Sequence, residues 1–192
     1  MKKIFVILFL ILIGIISFYF IKPVMEINIQ PLGQVSPEYI EQVKKSVKSF
    51  YGYDCKVLPQ KEITKAMLTK VTKRIDANMA LRKNTTKGNL LILTEKDICH
   101  FKDKLRPEYG IFGLGLRPGK TCIISTFRLK RNVTKQKTLE RLEKVALHEI
   151  GHNLGLEHCD NDKKCMMNDA KGTIKQVDAE KVWFCDKCKN QI

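Results

Sequence analysis

Acidic side chains are scarce in this 192-residue chain: 20 Asp and Glu stand against 35 Lys and Arg, a formal charge of +15. Such an excess suits acidic partners such as nucleic acid, anionic lipid or acidic peptides, but it carries no information about fold. The features that nucleic-acid readers add to basic charge, arginine clusters with interleaved aromatics, are missing. Much of the charge is lysine, spread from Lys44 to Lys87 over segments with helical spacing. It reads as a solvated basic face, and no nucleic-acid partner is expected. Internal repeats and low-complexity linkers are also absent, which excludes a solenoid or a string of modules. The cysteine count, seven, is odd, so a fully paired disulfide framework within one chain is excluded. A hydrophobic content of 44% with 29% charged residues excludes a mostly disordered chain. The length suits one domain with a sizeable core and is too short for two ordinary ones.

Residues 1–22 stand apart. Ile4 to Ile21 is an uncharged apolar run of 18 residues, flanked by Lys2, Lys3 and Lys22. As a helix it would span about 27 Å, close to the hydrocarbon thickness of a bilayer. A cleaved signal has a shorter apolar stretch and ends in small residues, whereas this run ends in Phe18, Tyr19, Phe20 and Ile21, an aromatic interfacial anchor. The expectation is a single-pass anchor over residues 1–22 followed by one domain over 23–192. Secretion after signal cleavage is the alternative. Lys2, Lys3 and the amino terminus outweigh Lys22, which places the N-terminus in the cytoplasm and the domain outside.

Beyond Pro23 short strands alternate with amphipathic helices, an α/β or α+β pattern in one domain. Glu26 to Gln30 reads as a strand, ended by Pro31-Leu32-Gly33. Ser36 and Pro37 have the residue types of an N-cap and first helical position, and Gly52 suits the stop. Between them Ile40, Val43, Val47 and Phe50 form one apolar stripe. Lys56 to Leu58 predicts a strand, Ile63 to Lys83 helical structure in one or two pieces, and Leu90 to Thr94 a buried strand. Ile111 to Arg117 and Thr121 to Phe127 flank Pro118-Gly119 and predict a hairpin with a type II turn. Leu139 to Leu154 is the last long helix.

That helix carries His148-Glu149-Ile150-Gly151-His152, the pattern HExxH. Residues four apart share a helix face, so His148 and His152 can direct two imidazole nitrogens at one metal ion. Glu149 then lies beside the open coordination position, where a carboxylate can take a proton from water. Gly155 can adopt the left-handed conformation that ends a helix, and the turn brings His158 back as a third ligand. Three of the four histidines fall in this stretch, HEIGHNLGLEH. Cys159 and Cys165 follow it, and Cys185-Asp186-Lys187-Cys188 forms a CxxC. Four thiolates in two close pairs suit a closed tetrahedral zinc site. Two disulfides are the alternative if the domain is extracytoplasmic, but CxxC pairs bridge poorly and zinc is preferred. Cys55, Cys99 and Cys122 show no ligand spacing and read as buried thiols.

HEIGHNLGLEHC, then CMM, then CDKC after a spacer of seventeen residues, resembles the archaemetzincins, a branch of the metzincin zinc peptidases. INIQPLG, LLILTEKDI, IFGLGL and IISTFRL are similar to the family's strand segments, so the likeness runs from about Ile27 to Cys188. It implies a single zincin-like (metzincin) domain, α/β (α+β), with a mixed sheet and an active-site helix. It implies two Zn²⁺ per chain: a catalytic one on His148, His152 and His158, and a structural one on Cys159, Cys165, Cys185 and Cys188. Glu149 matches the general base and Met167 the Met-turn residue. Five residues separate Cys159 from Cys165 where the family has four, and the apolar N-terminal segment is a second departure.

The function expected is a monomeric zinc metallopeptidase acting on a peptide or protein substrate, with the strand Ile111 to Arg117 lining the cleft and pairing with substrate backbone. No second oxyanion donor is identifiable; Tyr109 and Tyr53 are candidates by residue type alone. The alternative is a catalytically silent, zinc-stabilised binding module that engages an acidic partner or a membrane surface through the basic helices. Glu149 argues against it, because a structural site has no use for a base beside an open position. A nucleic-acid-binding zinc finger is weaker still, since no basic recognition helix follows the CxxC.

Overall fold

The computed structural model describes residues 25–192. A five-stranded mixed sheet, in the order β2-β1-β4-β8-β7, runs through the domain. It comprises β1 (Glu26–Pro31), β2 (Asp54–Val57), β4 (Asn89–Thr94), β8 (Thr121–Ser125) and the edge strand β7 (Gly113–Gly115). All neighbours are parallel except β7, which runs antiparallel to β8 with Gly113 opposite Ile124. A second, three-stranded sheet has the order β3-β5-β6, from Ile75–Asp76, Ile98–His100 and Tyr109–Ile111.

Side chains of a strand point alternately to its two faces, and β4 uses both. Leu91 and Leu93 join Ile27, Ile29, Cys122 and Ile124 in one core, covered by helices α1 (Pro37–Tyr51) and α3 (Lys135–Asn153). Leu90, Ile92 and Ile123 face the other core, with Ile98, Ala77, Ala80 and Leu81; helix α2 (Ala77–Lys83) lies there. Short helices α4 (Ile174–Ala179) and α5 (Asp186–Lys189) complete the chain. Covering the sheet on both faces is what a largely parallel sheet with apolar strands requires.

Helix α1 follows its sequence signals. Pro37 occupies the first turn, Val43 and Val47 are buried, and Gly52 ends the helix at φ 73° with its N–H on the Lys48 carbonyl. The Ser36 side chain makes no capping bond; its backbone N–H donates to Glu95 instead (2.9 Å). Helix α3 starts a turn before Leu139, where the Thr134 hydroxyl accepts from the Lys137 N–H.

Three sequence expectations are corrected. Ile63 to Lys83 is helical only at a 3-10 turn, Lys65–Met67, and in α2. Between them the Glu108 carboxylate accepts from Thr69, Val71 and Thr72, holding that stretch as a loop, and Asp76 caps α2 by accepting from Asn78 and Met79. Ile111 to Arg117 is not one strand: Ile111 pairs with Ile98 in the smaller sheet, whereas Gly113 to Gly115 pair with β8. The turn between β7 and β8 is not type II either. Gly119 is outside the positive-φ glycines, and a type II turn needs positive φ there.

Among the described residues no helix is long and apolar enough to cross a membrane. The apolar segment within residues 1–22 lies outside the described residues.

Candidate metal centre and catalytic cleft

The C-terminal turns of α3 present His148, Glu149 and His152. The helix then closes in a paired cap: Gly155 N–H donates to the His152 carbonyl (2.9 Å) and Leu156 N–H to that of Gly151 (3.0 Å). Gly155 stands at φ 104°, a conformation open chiefly to glycine. The reversal brings His158 back, and the three imidazole centroids lie 4.6, 4.8 and 5.5 Å apart. His148 Nδ1–H donates to the Met166 carbonyl (2.7 Å) and His152 Nδ1–H to that of Leu156 (2.8 Å). Those bonds fix the tautomers and leave each Nε2 lone pair for a cation. Burial, with His152 adjacent, pushes the His148 pKa down to about 3, so its ring is neutral. One ligand atom from each histidine lies within 4.8 Å of the others. Tetrahedral zinc with nitrogen ligands needs them ~3.4 Å apart, so the set fits with small side-chain adjustments.

Glu149 is buried between α3 and the edge strand β7. Burial raises its pKa to about 8, opposed by a hydrogen bond from the Gly115 backbone. Gly113 leaves room for this carboxylate, since a Cβ there would lie 2.5 Å from Glu149 Oε1, and Gly115 leaves room for the helix backbone, since a Cβ there would lie 2.6 Å from the Glu149 carbonyl oxygen. Beneath the centre, Met167 is fully buried. Its sulfur lies against Gly151, on the turn between His148 and His152, where a Cβ would meet it at 2.7 Å.

The four cysteines Cys159, Cys165, Cys185 and Cys188 are buried together, their sulfurs within 4.8 Å of one another. Cys159 and Cys185 are 3.5 Å apart and Cys165 and Cys188 3.8 Å, and every cysteine is a free thiol. Tetrahedral thiolate zinc sets sulfurs ~3.8 Å apart, whereas a disulfide needs about 2.05 Å. The donor set therefore fits zinc. Burial opposes the Cys185 thiolate, but the Cys188 amide and the Cys159 thiol outweigh it and bring the Cys185 pKa down to about 7. The extra residue before Cys165 is absorbed in a turn in which Cys165 N–H donates to the Asp162 carbonyl (3.0 Å). The two clusters share one segment, since Met167 O accepts from Cys159 N–H while Met166 O holds His148.

The histidines and Glu149 open into a cleft of about 520 Å³ that β7 flanks. Tyr109 lines it, but its hydroxyl donates to the Lys171 carbonyl (2.8 Å). Tyr53 packs on Tyr51 against the core and lies away from this cleft. Cys99 and Cys122 are buried and Cys55 half-buried, in keeping with thiols outside either cluster. Among the lining residues that the sequence does not single out are Lys144 and Glu180. Lys144 had a signal, being one helical turn before His148; Glu180 had none.

Residues 38–192 match the model of peptidase family M54. The archaemetzincin of Methanocaldococcus jannaschii is 31% identical over 179 residues, covering 88% of this chain and 93% of that protein. The archaemetzincin of Haloarcula marismortui is 28% identical over 179 residues, covering 88% and 99%. A crystal structure of archaemetzincin from Archaeoglobus fulgidus, complexed with malonate, superposes with a TM-score of 0.76 at 30% identity, covering 88% of this chain and all of that one.

Proposed function

The chain belongs to peptidase family M54, the archaemetzincins, and is a zinc metallopeptidase; from that premise we propose that it hydrolyses peptide bonds with Glu149 as general base. The buried carboxylate of Glu149, one residue after the proposed ligand His148 and held by the Gly115 amide, carries this reading. The imidazoles of His148, His152 and His158 would hold the catalytic ion, and Cys159, Cys165, Cys185 and Cys188 would hold a second, structural ion. Zinc at the histidines supplies Lewis acidity, which brings the pKa of water toward about 7 and polarises a scissile carbonyl.

The remaining work falls to the protein's own groups. A substrate backbone pairs with the outer edge of β7, which has β8 on only one side, and this extended pose passes the carbonyl over the histidines. Glu149 takes the proton of the attacking water and passes it to the departing amine. Burial raises the Glu149 carboxyl, and a cation at the histidines would draw it back to the ionised form that accepts the proton. Met166 and Leu156 carbonyls keep His148 and His152 aimed throughout.

Metal analysis paired with cleavage of a peptide library tests the reading. Two zincs per chain with chelator-sensitive cleavage support it. Two zincs with no cleavage of any peptide would instead leave a zinc-stabilised binding module.

A further inference from the structure

The cleft continues beyond the histidines. It runs back along α3 past Val145 and Lys144 and is closed by Val177 and Glu180, at the C-terminal end of α4. This floor is fixed in place. Arg141, almost fully buried on α3, grips Asp178 through two bonds of 2.8 and 2.7 Å, and Lys144 Nζ donates to the Val177 carbonyl at 2.8 Å. Glu180 is 6% exposed, and its buried Oε1 has no hydrogen-bond partner. Lys144, the cation beside it, is engaged by the backbone carbonyls of Val177 and Asp178 and not by Glu180. Buried carboxylate oxygens are nearly always paired. Gln176 bonds the carboxyl, Oε1 is left without a donor, and Glu180 lines the cleft.

We propose that Glu180 is a specificity-determining residue that receives a basic side chain, Lys or Arg, from a substrate residue flanking the bond cut. This rests on the peptidase reading above. In an extended substrate alternate side chains face opposite ways, so a residue flanking that bond turns toward the floor. Val145 and Val177 accept the methylene stem of a long basic side chain, and Glu180 meets its charged tip. Burial raises the Glu180 carboxyl to about 7, against the opposing pull of Gln176 and Lys144. A cation in the pocket returns it to the ionised form.

The test offers zinc-loaded protein a set of peptides that carry Lys, Arg, Leu, Gln or Glu on either side of the cleaved bond. The Lys and Arg peptides should exceed the Leu and Gln peptides in kcat/KM by at least ~10-fold. In Glu180→Gln that ratio should fall toward one, and in Glu180→Lys the Glu peptides should overtake. Binding of labelled peptides to the Glu149→Gln protein, with and without Glu180→Gln, reads the same ranking without turnover. A basic preference that survives Glu180→Gln, or a parent preference for acidic or apolar side chains, overturns the proposal. Glu180→Gln keeps the side chain's shape, so the test stands even if the lysine variant fails to fold. If no peptide is cleaved but basic peptides bind in a Glu180-dependent way, the pocket assignment holds and the peptidase reading fails; if neither occurs, both fail.

Discussion

Gly113 on β7 lies so close to Glu149 on α3 that a Cβ there would stand 2.5 Å from Oε1 and 2.7 Å from Cγ. The obstructed atoms belong to the end of a flexible side chain, so the fold can accommodate an added methyl by moving the carboxylate. Misplacing a catalytic group by about 1 Å can cost on the order of 100-fold in rate. Gly113→Ala should therefore keep its zinc and nearly its melting temperature while kcat falls ~10- to 100-fold. Gly115→Ala differs, because its Cβ would press on the Glu149 carbonyl oxygen at 2.6 Å, which is backbone. That variant should lose stability as well. Equal melting losses in both, or an unchanged kcat in Gly113→Ala, would contradict this account of the β7–α3 contact.

Glu149→Gln removes the base but neither a ligand nor much volume. It should retain the parent metal content and fold while hydrolysis drops by a factor of ~100 to 10,000 or more. Metal analysis and single-turnover cleavage check this. Hydrolysis at the parent rate would remove Glu149 from the mechanism.

The elements that were legible in the sequence are those whose signals are local. Pro37, the Val43 and Val47 stripe and Gly52 define α1 within fifteen residues, and the four-residue step from His148 to His152 needs only a helix. Gly155 made the return of His158 legible because its φ of 104° is a glycine conformation. The loop after Met67 was not legible: Glu108, more than thirty residues away, supplies the bonds that replace helical ones. The split at Phe112 was equally hidden, since Ile111 and Gly113 belong to separate sheets only through partners at Ile98 and Ile124. The pocket floor depends on pairs such as Arg141 and Asp178, 37 residues apart, which no periodicity announces.

Cys185→Ser should lower the metal content by one zinc per chain and destabilise the segment that carries Met166 and Met167. Breaking a closed thiolate site removes folding free energy together with the ion, here more than about 3 kcal/mol. Because Met166 also holds His148, peptidase activity should fall with it. Mild reductant without chelator should leave the parent protein intact. Unfolding in reductant alone would show that the four cysteines, free thiols in this structure, form disulfides in solution.

The run Ile4 to Ile21, 18 uncharged residues, is proposed to act as an uncleaved membrane anchor with the peptidase domain outside. The full chain should then resist extraction by high salt or alkali, because hydrophobic burial holds it and not the +15 charge, whose attraction to lipid is screened within about 8 Å. Protease added to spheroplasts should reach the domain. A soluble form starting after Ile21 would identify a cleaved signal, and a protected domain on an intact anchor would reverse the topology.

Glu180 should make stability depend on pH in a recognisable direction. Burial raises its folded pKa from 4.5 to about 7, so between those values the native state binds a proton that the unfolded chain has released. The resulting stabilisation is fully present below about pH 4.5, falls as pH rises, and is lost above about pH 7. Its size is about 3 kcal/mol at most, an order-of-magnitude figure from 1.36 kcal/mol per pKa unit. Other groups titrate in the same range, including the histidines and thiols, so the informative quantity is the difference between parent and Glu180→Gln. At constant zinc, the parent's melting temperature should decline relative to the variant by several degrees between pH 5 and pH 8. Lys144, the neighbouring cation, should enter through the same measurement: Lys144→Met should steepen the parent's decline by removing the charge that favours ionised Glu180. A parent-to-variant difference that stays flat from pH 5 to pH 8 would show that the carboxyl titrates at its ordinary value.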